Sequence, residues 1–173
     1  AMSALHRAVR LDPDASVRRA AFDSLAFIRR SCQTHLGEEA DFLDSDWPDV
    51  RAAAVKLLGE SSGTTVETLV LDALEDDDCG VQTAAYDALE ARGWWRHPGE
   101  LAGLTEAFSD CPALLAKHFR TLRRLLRSLP SEAWRKNHDV QQLIVSAAAA
   151  AAQTKHASVK SEALGLLLDP SSY

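Results

Sequence analysis

Residues Lys117 to Leu129 read KHFRTLRRLLRSL. Lys117, Arg120, Arg124 and Arg127 recur at steps of three and four, with Arg123 beside them. On a helix that spacing gathers them on one side, over neighbouring turns. Leu114, Leu115, Phe119, Leu122, Leu125, Leu126 and Leu129 fall on the other side. Five cations within eleven residues make an uneven field in an otherwise acidic chain. Such a stripe could hold an acidic peptide segment or a phosphate backbone. The plainer reading is a solvated face opposite a buried one, and both stand at this level.

A second candidate is GWWRHPGE, Gly93 to Glu100. Trp94 and Trp95 are adjacent, so one helix cannot turn both into the same core. One packs at an edge; the other is a candidate anchor for a partner, since Trp is enriched at binding hot spots. The acidic run Glu75–Asp78 reads as a solvated turn that caps the next helix. It lacks the spaced oxygen ligands and the glycine of a calcium loop.

Little supports catalysis. His6, His35, His97, His118, His138 and His156 are scattered, with no HExxH and no paired Cys/His spacing. No GxSxG, phosphate-binding loop or GxGxxG occurs. The expectation is a non-enzyme with no cofactor and no metal.

The elements that must position these groups follow from composition. The 173 residues are rich in Ala and Leu, with six Pro and eight Gly, which favours helix. No apolar stretch is long enough to span a bilayer, and no signal peptide is visible. Cys32, Cys79 and Cys111 are far apart and odd in number, which predicts reduced thiols and an intracellular protein, cytoplasmic or nuclear. The net charge of −6 is unevenly placed. Residues 1–110 hold 10 Lys/Arg against 21 Asp/Glu, and residues 111–173 hold 9 against 4.

One phrase repeats. From Val50, Ala53 and Ala54 fall at +3 and +4, Val55 at +5 and Leu58 at +8. The frame recurs from Val17 (Ala20, Ala21, Phe22, Leu25) and Val81 (Ala84, Ala85, Tyr86, Leu89). It recurs again from Leu114 (Lys117, His118, Phe119, Leu122) and Val159 (Glu162, Ala163, Leu164, Leu167). On a helix these positions form one broad apolar stripe. Small residues at +3 and +4 let a neighbouring helix approach, and the larger ones at +5 and +8 fill the space between layers. An acidic turn precedes each of the first four anchors: DPDAS, DSDWPD, DDDCG and SDCPA. Asp and Ser cap helix starts, and Pro is tolerated in a first turn. Partner helices are expected at Ser3–Leu11, Leu36–Leu43, Thr64–Glu75 and Gly99–Phe108. A fifth, Ser131–Ala152, is expected to break near Asn137. Its six consecutive alanines, Ala147–Ala152, predict a thin helix packed closely on a neighbour.

The phrase resembles HEAT repeats, on Asp46, Pro48, Val50, Arg51, Ala53, Ala54 and Leu58, with Val17, Arg18, Ala20, Ala21 and Leu25 close behind. The third copy keeps Asp77, Val81, Ala84, Ala85 and Leu89 but carries Gln82 in place of Arg. The resemblance implies an all-α, right-handed α-solenoid of about five stacked helical hairpins, with armadillo-type packing open for the C-terminal third. A single domain over 1–173 is expected, with repeats near 3–34, 35–62, 63–96, 97–129 and 130–169. It is expected to be a piece of a longer protein. The resemblance also implies a ladder joining Asp46 to Arg18 or Arg51 between repeats.

A protein-binding scaffold or adaptor is therefore the leading expectation. Its partner, with an acidic segment as the candidate, would lie along the second helices, where +6 is Asp23, Lys56, Asp87 and Arg120. The partner-binding candidates are Lys117, Arg120, Arg123, Arg124, Arg127, Trp94 and Trp95. The alternative is nucleic-acid binding through residues 117–127, including a form similar to DNA-alkylation-repeat proteins. The acidic first 110 residues count against wrapping a duplex. Apolar repeat ends would favour self-association, and no membrane contact is expected.

Overall fold

The computed structural model describes residues 2–32, 40–61, 63–93, 104–128 and 138–168. These form nine α-helices and one 3-10 turn, with no strand among the described residues. The chain divides into two compact units, residues 1–93 and 94–173.

The first unit holds α1 (Met2–Leu11), α2 (Ala15–Cys32), α3 (Pro48–Gly59), α4 (Thr64–Asp72) and α5 (Cys79–Ala91). Helix α1 packs on α2, α2 on α3, and α3 on both α4 and α5. The expected partner segments at 3–11 and 64–75 are α1 and α4, the latter ending in the 3-10 turn Ala73–Glu75. Of the segment 36–43, only residues 40–43 are described. There Phe42 is buried in the core formed by Val9, Phe22, Leu25, Ala26 and Ala54.

The repeat frame explains the burial. Val50, Ala54, Val55 and Leu58 of α3 are buried, as are Val81, Ala84, Ala85, Tyr86 and Leu89 of α5. Each large apolar side chain so placed contributes about 1.5–3 kcal/mol. Small residues also set the helix spacing. A Cβ on Gly59 would lie 2.7 Å from the Cβ of Ala88, so α3 and α5 approach too closely there for any side chain on residue 59. In the first copy Ala21, Phe22 and Leu25 are buried, but Val17 is 42% exposed and Arg18 is buried in its place.

The helix starts use two devices. Asp14 accepts hydrogen bonds from the Ser16 N–H (2.7 Å) and hydroxyl (2.6 Å) at the head of α2. The Ser16 hydroxyl, followed by its N–H, holds the Asp14 carboxyl below its ordinary value. Asp78 accepts from the N–H groups of Gly80 and Val81 at the head of α5. At α3 the cap is Trp47, without a side-chain bond, and Pro48 occupies the first turn, where a missing N–H costs nothing.

The second unit holds α6 (Leu104–Ala107), α7 (Pro112–Ser128), α8 (His138–Gln153) and α9 (Ala157–Leu167). Helix α9 packs on α7 and α8, and α8 touches α6. Leu114, Leu115, Phe119 and Leu122 of α7 are buried. In the alanine run Ala147 and Ala151 are buried four residues apart, so the thin helix has one packed edge. In α9 the expected frame shifts. Val159 and Ala163 are buried, but Leu164 is 41% exposed and Leu166 takes the inward place. Positions 0, +4 and +7 form the narrower stripe that packing on two neighbours requires.

Cys79 and Cys111 each belong to a disulfide, contrary to the expectation of reduced thiols. The compartment argument drawn from free cysteines loses that support. No helix among the described residues is long and apolar enough to cross a membrane.

Candidate partner-binding groove

Two arginines link one repeat to the next in the first unit. Arg18, at +1 of the first copy, donates to both carboxylate oxygens of Asp49, from Nε at 3.1 Å and Nη2 at 3.0 Å. Its Nη1 donates to the carbonyls of Asp12 and Pro13, and its guanidinium lies 3.8 Å from the Trp47 ring centre. The Trp47 indole N–H reaches the Arg10 carbonyl at 3.2 Å. Arg51, at +1 of the second copy, forks onto Asp76 with two bonds of 2.8 Å and also reaches Asp77 and the Ser45 carbonyl. The Asp76 hydrogen bond holds the Arg51 guanidinium above its ordinary value. Burial pushes the Asp76 carboxyl up, but the bonds from Arg51 and the Asp78 N–H outweigh it and leave the group low.

The ladder expected from the resemblance therefore exists, with one correction. Asp46 is not its acid. Asp49 receives Arg18, because it sits in the first turn of α3, whereas Asp46 precedes the cap and lines a cleft with Asp41 and Asp44.

Between α2 and α3 the ladder frames a groove of about 520 Å³. Phe22, Ala26, Val50 and Leu57 form its apolar lining. Arg18–Asp49 crosses at one end, and Arg30–Glu60 crosses at the other with a closest approach of 2.5 Å. Arg18 and Arg30 stand twelve residues apart on α2, about 18 Å along the axis. Between them Arg19, Asp23 and Lys56 are exposed, and Ala52 and Ala53 keep the α3 wall low. Phe27 stands 69% exposed on this groove. Sequence reasoning placed Asp23 and Lys56 on the outer face correctly but passed over Phe27. Its signal was an aromatic ten residues past the anchor, outside the apolar frame.

The basic helix is α7. Arg120, Arg124 and Arg127 are exposed, while Lys117 and Arg123 are half-buried. Arg120 Nε meets Glu162 Oε1 at 3.0 Å, and Arg123 Nη2 meets Glu162 Oε2 at 3.5 Å. The structure thus brings an acid from α9 between two of the cations. Trp94 and Trp95 lie outside the described residues. No cluster of three or more metal-binding side chains occurs among the described residues.

A family model for HEAT repeats matches residues 40–119. No curated protein and no solved structure gives a match.

Proposed function

We propose that the chain, which matches the HEAT-repeat family over residues 40–119, is a non-enzymatic scaffold of that kind that binds a protein partner along its second helices. The observation that carries this reading is the α2–α3 groove, with Phe27 exposed over an apolar floor and ion pairs across both ends. An exposed aromatic beside a preformed groove offers contact area at low ordering cost. In the second unit the exposed side of α7, with Lys117, Arg120, Arg123, Arg124 and Arg127, offers the complement for an acidic segment of the partner. Trp94 and Trp95 remain candidate anchors.

The test is crosslinked capture from cells that make the protein, comparing wild type with Phe27→Ala and Lys56→Glu. A partner captured by wild type and lost from both variants supports the groove. The same proteins captured by all three overturns it.

Nucleic-acid binding through α7 is the second reading, favoured by its run of cations. Glu162, seated on Arg120 and Arg123, weighs against it. Titration of a labelled random oligonucleotide at low and moderate salt decides. Binding that disappears with salt and on charge reversal of Arg120, Arg123, Arg124 and Arg127 brings this reading forward.

A further inference from the structure

We propose that the second unit carries a separate docking groove, between α6 and α8, for an extended polypeptide strand with a basic residue. The groove has a volume of about 730 Å³ and is lined from α8 by Gln142, Ser146, Ala149, Ala150 and Gln153. These positions recur at steps of three, four and seven, which places them on one face of the helix. The buried Ala147 and Ala151 occupy the adjoining face, so the groove wall is distinct from the packed edge.

The chemistry of the wall fits a main chain. A carboxamide offers a donor and an acceptor together, which is what a peptide group requires on either side. Gln142 and Gln153 bracket the face, and Ser146 stands between them. Ala149 and Ala150 project nothing beyond Cβ, so a backbone can approach closely. From residue 142 to residue 153 the helix runs about 16 Å, the length of about five residues of extended chain. Gln142 Nε2 lies 3.1 Å from His138 Nε2, which orients its amide.

Thr105 of α6 supplies an independent observation. It lines the groove and is 92% buried, and its Oγ1 has no hydrogen-bond partner. A buried hydroxyl left unpaired is costly. Because Thr105 lines the groove, a strand carbonyl seated there would accept from this hydroxyl. Glu106, exposed beside it, is the one charged side chain among the described residues that line the groove. A Lys or Arg on the strand complements it, and an acidic strand is disfavoured.

This deepens the partner-binding reading at a second place and rests on it only in that sense, because the residues differ from those of the α2–α3 groove. The experiment is selection of a displayed random heptapeptide library on the full chain, followed by fluorescence polarisation of the enriched peptides. Ala149→Arg and Ser146→Arg fill the groove from exposed and half-buried positions, and unchanged thermal unfolding shows that the variants fold. The expected result is a set of peptides carrying Lys or Arg that bind wild type at least tenfold more tightly than either variant. Glu106→Lys should reverse the charge preference, and Phe27→Ala should leave these affinities unchanged. No enrichment, or peptides that bind wild type and both groove variants equally, overturns the proposal. Peptides lost on Phe27→Ala but kept by Ala149→Arg overturn it too, while leaving the α2–α3 groove supported.

Discussion

Replacing Arg51 with alanine should cost about 3 kcal/mol of stability, the lower end of what breaking a buried ion pair takes. The figure follows from what each bond loses. Arg51 and Asp76 side chains are each 14% exposed, so removing the guanidinium strands a carboxylate largely shielded from water. The Ser45 carbonyl loses its donor as well. Asp77 is 94% exposed, so its bond to Arg51 contributes little beyond what water replaces. Asp76 keeps the Asp78 N–H at 2.9 Å, which holds the cost to the low end. Arg51→Lys retains the charge but loses the fork, and should cost about 2 kcal/mol. The assay is urea unfolding followed by far-UV circular dichroism at neutral pH, with Asp76→Ala and the double variant completing a cycle. A coupling energy of about 2 kcal/mol is expected between the two sites. A loss below about 1 kcal/mol for Arg51→Ala, or additive effects in the cycle, would refute the claim that this rung holds neighbouring repeats together.

Other outcomes follow from the same geometry. Asp76 is held below its ordinary value in the folded chain, so its contribution is complete above the unfolded carboxyl value of about 4. It is lost as pH falls from there through the folded value, and Asp76→Asn should show a shallower loss over that window in an acid titration of stability. Gly59→Ala should destabilise by about 1–3 kcal/mol through the clash with Ala88. Ala88→Gly in the same chain should recover part of the loss, as read by thermal unfolding. Glu162→Gln should change stability by less than about 1 kcal/mol, since Arg120 is well exposed. It should nevertheless tighten oligonucleotide or acidic-peptide binding several-fold at low salt by releasing Arg120 and Arg123.

The helical layers were legible because their cause is periodic. Val50, Ala54, Val55 and Leu58 repeat as Val81, Ala85, Tyr86 and Leu89, and all eight are buried. The start of α5 at Asp78 was legible too, since an acid before a helix has a local task. The ladder acid was not. Asp44, Asp46 and Asp49 are alike in composition, and only the position of Asp49 in the first turn of α3 turns it toward Arg18. Phe27 was hidden because an exposed aromatic breaks no local rule. The shift in α9 was hidden because Leu164 and Leu166 are equal in hydrophobicity, and the neighbours α7 and α8 choose between them. Glu162 read as an imperfect +3 residue, whereas its partners stand 42 and 39 positions back, on Arg120 and Arg123.

Four arginines of the first unit make links that span nearly one repeat of chain. Arg18 reaches 31 residues forward to Asp49, Arg51 reaches 25 to Asp76 and Arg30 reaches 30 to Glu60. Arg92 reaches back 33 to the carbonyl of Gly59, and it also holds that of Ser61. Closing each such loop carries a similar entropic cost, because that cost grows only with the logarithm of loop length. The unit is therefore tuned to insertions and deletions of one size. Removing or duplicating about one repeat of chain brings another arginine opposite another turn. Removing half of one leaves a guanidinium facing the wrong helix end, with two backbone carbonyls or a carboxylate unmatched. Change in length is cheap here only in whole steps.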